Sequence, residues 1–316
     1  LSLKDVTNMQ STARTVIETS WTLLRVVAVI SSSIATILSS MLPLIFHSNI
    51  NHERIFLTFI LVSFGALIIH GALTHLYNDY ADYLSGTDAR SPAILSGGSR
   101  VIQRNLLSPY LVHQLATHLT ISLFIVALVF AMTGYMKLTL LILIGIWAAY
   151  SYSMPPLRLS YRPFIGEGLS LFPAIFFLGV AIPWLLLDTI PLWVYQNTII
   201  NAFICMAWVM VHHIPDVQAD QQANPIKRTS VVWFVEKFGR RAAVVPAIIY
   251  LILAAVVALT LFYNRFWHGL IVVLLLAFMA RLVMKIDVEN VQNVTQVEKR
   301  LLISASIIAI LLGIWI

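Results

Sequence analysis

The chain has 316 residues, of which 59% are apolar and only 11% charged, with 20 Lys and Arg against 14 Asp and Glu. An ordinary soluble domain is roughly a quarter charged, so this composition excludes a soluble globular enzyme, a disordered chain and a coiled coil. It also overrides the nucleic-acid reading that a net charge of +6 would invite, because excess Lys and Arg in an apolar chain mark cytoplasmic loops.

The first 20 residues, Leu1–Ser20, are polar and read as a cytoplasmic surface segment, too long for the n-region of a signal peptide. Runs near the 20 apolar residues a bilayer requires then follow at Val26–Phe46, Ile55–Tyr77, Leu111–Met132, Leu138–Met154, Leu169–Leu187, Leu192–Ile214, Ala242–Tyr263, Phe266–Met284 and Leu301–Ile316. The expected fold is all-α: a polytopic membrane protein of nine helices in one bundle, a single domain over residues 1–316. Cys205 lies in an apolar run and reads as inert packing. Asn201, deep in the sixth run, reads as an amide bonding across helices.

With nine spans, the N-terminus and the loops after spans two, four, six and eight share one side. That side holds 17 of the 20 basic residues; Arg54, Lys137 and Arg265 are on the other. The basic side is expected to be cytoplasmic. The loops after spans two and six are long and polar, and loops of that length tend to be functional.

Those two loops carry acids at metal-ligand spacing. In NDYADYLSGTD (Asn78–Asp88), Asp79 and Asp82 stand at i,i+3, and Gly86 permits a bend before Asp88. In HHIPDVQAD (His212–Asp220), Asp216 and Asp220 stand at i,i+4. Solvated loop charges would explain one such pair; two pairs at equivalent helix ends on one side point to a shared cation. Sparse oxygen ligands suit Mg²⁺, which keeps several waters and shares its shell with substrate phosphates. Arg100 and Arg104 follow the first motif, Lys227 and Arg228 the second, and Arg158 and Arg162 lie in the loop between. Acids and cations at one mouth describe a metal–diphosphate site.

These residues resemble the UbiA superfamily of intramembrane prenyltransferases. NDYADYLSGTD followed by GGSRVIQRNLLSP (Gly97–Pro109) resembles its 1,4-dihydroxy-2-naphthoate polyprenyltransferase branch, and the six-residue step from Asp82 to Asp88 suits that branch. YSMPPLRLSYRPFIGE (Tyr152–Glu167) resembles the family's Tyr-rich segment, and HHIPDVQAD with KRT (Lys227–Thr229) and FG (Phe238–Gly239) its second acidic segment. The stretch Trp21–Arg25 lacks the Pro often found at the entry to span one.

The resemblance implies transfer of a polyprenyl chain from an isoprenyl diphosphate to an aromatic acceptor. The partners it implies are those two substrates and membrane lipid, with no nucleic acid. It implies two Mg²⁺ held by Asp79, Asp82, Asp216 and Asp220. Asn78, Asp88, Arg100, Gln103, Arg162, Lys227, Arg228 and His213 would contact substrate. Of Tyr150, Tyr152 and Tyr161, Tyr152 is the choice to face the carbocation; His212 or His213 would meet the acceptor or carry a proton. The isoprenoid channel should run between helices and open to lipid. The location implied is a bacterial inner membrane, with the site facing the cytoplasm. A different acceptor or a terpene cyclase would keep both acidic motifs. A secondary transporter would place its ionisable groups nearer mid-membrane.

Overall fold

The computed structural model describes residues 30–92, 98–263 and 265–314. The expected segment Leu1–Ser20, the Trp21–Arg25 stretch, the first residues of the span Val26–Phe46, Gly97 and the last two residues of the span Leu301–Ile316 lie outside them.

Every regular element among the described residues is helical. The order is α1 (Ala35–His47), α2 (His52–Ser85), α3 (Thr87–Arg90), α4 (Pro109–Met132), α5 (Met136–Ser153), α6 (Phe172–Leu186), α7 (Leu192–His212), α8 (Val217–Gln221), α9 (Ser230–Phe238), α10 (Val245–Leu259), α11 (Phe266–Met284) and α12 (Val291–Ile314). Local chemistry sets several ends. Asn51 caps α2 by accepting from Glu53 N at 2.7 Å, and Ser108 caps α4 by accepting from Leu111 N, with Pro109 as the first helical residue. Gly86 ends α2 at φ +78°, a left-handed position where a side chain is strained.

Among the described residues seven helices are long and apolar enough to cross a membrane: α2, α4, α5, α7, α11, and α6 and α10 with their flanking turns. The remaining two expected spans differ. The first is represented by an apolar helix of Ser32–His47, shorter than a full span at the edge of the described residues. The last begins at Val291 rather than Leu301. Its first ten residues are polar in composition, yet Val294, Val297 and Leu301 form a buried stripe at helical spacing. A search for continuous apolar runs passes over such an amphipathic start. Span two also runs further than its apolar stretch, so Asp79 and Asp82 lie on α2 itself and not in the loop beyond it.

The helix α7 is central, packing against α1, α6, α10 and α12. Its buried amides fasten it: Asn201 donates to Ser39 Oγ at 2.7 Å, and Asn197 donates to Ser39 O at 3.0 Å and Leu312 O at 2.8 Å. Three larger apolar clusters and a small one of Ile175, Ala202 and Cys205 between α6 and α7 result. One joins α7, α10, α11 and α12; one joins the inner end of α2 to α4 and α5; one joins α1, the outer half of α2 and α6.

Within α2, residues Leu67–Thr74 form a π-helical segment. Thr74 Oγ1 donates to Ile69 O, five residues back, at 3.0 Å. Residues His75–Ser85, beyond this segment, pack on α4, whereas residues His52–Ala66 pack on α6 and α1. The outer halves of α2 and α4 thus diverge.

Candidate active site

The two acidic motifs meet at one end of the bundle. Asp79, Asp82, Asp88, Asp216 and Asp220 are all buried, at most 6% exposed. Asp79 and Asp82 come from the last turns of α2, Asp88 from α3, and Asp216 and Asp220 from one helical turn closed by Asp220 N donating to Asp216 O at 2.8 Å. The loops are clasped to each other: Asn224 N donates to Ser85 O at 3.0 Å, and Arg90 donates to Gln222 O at 3.0 Å.

Lys227 stands between the motifs. Its ammonium donates to both Asp82 oxygens, at 2.7 and 2.9 Å, and lies 4.0 Å from Asp220 Oδ1. Burial pulls its pKa down, but the carboxylates of Asp82 and Asp220 overcome that and hold it well above the ordinary lysine range. Burial raises Asp220 well above the carboxylate range against the pull of Lys227. Asp88 is pushed up to about 9, first by burial and then by the charges of Asp82 and Asp79.

Hydroxyls and amides fix the other acids. Ser99 donates from N (3.0 Å) and Oγ to Asp79, and Ser91 Oγ donates to Asp216. Asn78 donates to Asp82 at 2.9 Å and accepts from Ser153 at 3.0 Å. Gln103 donates to Asp88 at 3.3 Å. Arg100 holds the turn between them, donating to Ser91 O at 2.6 Å. Tyr152 OH lies 3.2 Å from His213 Nε2. Burial, Lys227 and His212 lower the pKa of His213 well below the ordinary value.

Not every expected residue joins this cluster. Arg228 pairs with Glu236 at 2.8 Å and is half exposed. Arg162 is exposed in the loop after α5. Tyr150 donates to Pro155 O at 2.9 Å and packs edge-on against Tyr77. Ser91, Gly98 and Glu298 were not singled out by sequence. Each acts through a partner remote in the chain, and Gly98 alone carried a legible hint, as part of a Gly pair.

The donor set fits Mg²⁺. Asp88 Oδ1 and both Asp220 oxygens are buried without a hydrogen-bond partner, which is the condition of oxygens held for a cation. Gly98 leaves a cradle between acids: a Cβ there would meet Asp79 Oδ1 at 2.6 Å and Asp88 Oδ2 at 2.9 Å, at φ +70°. Among the described residues no three Asp, Glu, His or Cys side chains form a ready-made cage. Gly98→Ala is expected to lower turnover at least about tenfold, through clash and strain at the acids, without loss of helical circular dichroism. Unchanged turnover would show that the cradle is unused.

A cavity of about 480 Å³ leads away from the acids. Asn78, Asp82, Tyr152, His213, Asp216 and Lys227 line its polar end. Beyond them it passes between α2, α4, α5, α6 and α7, among apolar side chains such as Ile69, Phe130, Ile142 and Phe177. Leu61, Phe64 and Val126, which also line it, are exposed on the bundle's perimeter. The cavity therefore opens sideways where α2 and α4 diverge.

A bundle of membrane-length helices with buried acids at the head of an apolar, side-opening cavity defines a class: a membrane-embedded helical protein whose polar site opens into an apolar channel. The model of the UbiA prenyltransferase family matches residues 22–307, and the chain belongs to that family. Its activity is accordingly prenyl transfer, and the family draws on isoprenyl diphosphates and aromatic acceptors within the membrane. No curated protein and no solved structure matched the chain.

Proposed function

We propose that the protein transfers a polyprenyl group from its diphosphate to 1,4-dihydroxy-2-naphthoate, with loss of CO₂, in the formation of a menaquinone-type quinone. The observation that carries the substrate reading is the single cavity joining buried carboxylates to an apolar, laterally open channel. The branch is supported by Asp88, six residues past Asp82, folding back beside Gln103 and Gly98. The one-sided basic residues support a cytoplasmic site in a bacterial inner membrane.

Asp79, Asp82, Asp216 and Asp220 would hold Mg²⁺, with Asp88 beside them. When bound, Mg²⁺ neutralises the charge that builds on the departing diphosphate. The chain supplies the rest. Lys227 adds a cation at the same mouth, Tyr152 presents an aromatic face at the start of the channel, and the apolar walls hold the isoprenoid and keep water from the allylic centre.

The test is purified protein with labelled geranylgeranyl diphosphate, Mg²⁺ and a panel of aromatic acids and alcohols. A prenylated naphthol with CO₂ released is expected. Turnover of 4-hydroxybenzoate and none of the naphthoate would overturn the acceptor; a hydrocarbon formed without any acceptor would indicate a cyclase.

The channel makes a separate prediction. Gly145 lines it, and a Cβ there would meet the Ile69 side chain at 2.9 Å. Gly145→Leu should block the deeper channel while leaving the mouth intact. Preference for geranyl over geranylgeranyl diphosphate, read as the ratio of kcat/KM values, should rise about tenfold or more. An unchanged ratio would place the isoprenoid elsewhere.

A further inference from the structure

A buried histidine–carboxylate pair joins α7 to α12 beside the cluster of aspartates. Glu298 is 1% exposed, and its Oε1 lies 2.7 Å from His212 Nδ1. The His212 ring stacks on Trp208, with centroids 5.3 Å apart and planes 25° from parallel. His212 and Trp208 both border the cavity, at the end that also holds His213 and Asp216.

A carboxylate buried in a membrane protein is expensive unless it is paired, and such groups mark function more often than scaffold. Holding helices together does not require one here, because Asn197 already ties α7 to α12 with a neutral amide. What the pair adds is a fixed tautomer. A carboxylate at Nδ1 keeps the proton on that nitrogen and leaves Nε2 unprotonated, on a ring whose orientation Trp208 sets. The adjacent His213 is not equivalent: its Nε2 is engaged with Tyr152 OH.

Resting on the aromatic-acceptor reading above, we propose that His212, oriented by Glu298, takes the proton from the phenolic hydroxyl of the ring that receives the prenyl group. The O–H bond breaks and the proton goes to Nε2. The electron pair left on oxygen moves into the ring, and a ring carbon bonds to C1 of the allylic chain. The C1–O bond breaks, and diphosphate leaves with that pair. The imidazolium formed is balanced by the Glu298 carboxylate until the same ring carbon gives up its carboxylate as CO₂; the pair of that C–C bond restores the aromatic ring, and the carbonyl oxygen takes the proton back from Nε2. His212 is a catalytic residue in this step, and Glu298 is a positioning residue.

The experiment measures transferase kinetics of His212→Ala, Glu298→Gln and Glu298→Asp in detergent, each first shown to bind geranylgeranyl diphosphate with Mg²⁺. A general base contributes on the order of a hundredfold or more. His212→Ala should therefore lose about that much kcat, keep its KM for the diphosphate within about twofold, and regain turnover when imidazole is added. Glu298→Gln should lose about tenfold or more in kcat alone, and Glu298→Asp should retain part of it. Turnover by His212→Ala within about threefold of wild type, or a loss that imidazole does not relieve, would overturn the proposal. If His212→Ala does not fold, the Glu298 variants decide: equal kcat in Glu298→Gln and Glu298→Asp would overturn it. A wild-type protein that prenylates no aromatic acceptor would instead remove the reading beneath it.

Discussion

Asp79→Asn is expected to lower kcat by about a thousandfold, near 4 kcal/mol at 1.36 kcal/mol per factor of ten, and Asp216→Asn should do the same. The two residues are 137 positions apart, yet both are buried at one mouth and each is held by a serine hydroxyl, Ser99 on Asp79 and Ser91 on Asp216. Each acidic pair alone would be a poor cage; under the proposed function the two would flank a diphosphate and act as one unit. Residues that act as a unit are grossly non-additive when removed. The Asp79→Asn/Asp216→Asn variant should therefore be little worse than either single. The measurement is initial rate against Mg²⁺ concentration for all three, after a folding check in detergent. Multiplicative losses would mean two independent sites, and a single variant losing less than about tenfold would remove that pair from the chemistry.

Lys227→Met should have the next largest effect, and its cost in stability should shrink when Mg²⁺ is added. Without metal, the variant leaves Asp82 and Asp220 buried with no ammonium beside them. Breaking a buried pair in this way destabilises by about 3–5 kcal/mol, so the thermal midpoint should fall. A divalent cation then meets carboxylates with no competing charge 2.7 Å from Asp82. The upward shift of the midpoint on adding Mg²⁺ should thus be larger in the variant than in wild type. Turnover should still drop, because the leaving diphosphate has lost a cation. Equal Mg²⁺ shifts in the two proteins would show that the lysine and the metal do not share this space.

Much of this was legible in the chain, and the exceptions have a common cause. Apolar runs and acid spacing are local properties, so the helices and the pairs Asp79/Asp82 and Asp216/Asp220 could be read directly, as could the role of Asn201. What sequence could not supply is direction. Lys227 and Arg228 are neighbours with the same charge, yet one is buried among carboxylates and the other turns to Glu236. Tyr150 and Tyr152 differ in the same way, one capping Pro155 O and the other lining the cavity. Contacts across long separations were equally hidden. Glu298 sits in the polar stretch before the last apolar run, and nothing local links it to His212, 86 residues earlier.

The π-helical stretch of α2 bears on how this protein tolerates change in length. Its wider turn offsets the rotational phase of everything after Thr74 from everything before Leu67. The lipid-adapted half and the half that carries Asp79 and Asp82 are indexed separately, with Leu67–Thr74 as the coupling between them. Each residue of an ordinary helix advances the azimuth by about 100°. The segment holds about one residue more than an ordinary helix of the same rotation, so deleting one residue here lets it close to an α-helix with both carboxylates near their present azimuth, whereas adding one swings them away from Lys227. Substitutions in the stretch alter its fit and a one-residue loss is absorbed there, whereas a one-residue gain resets the clock angle of the site.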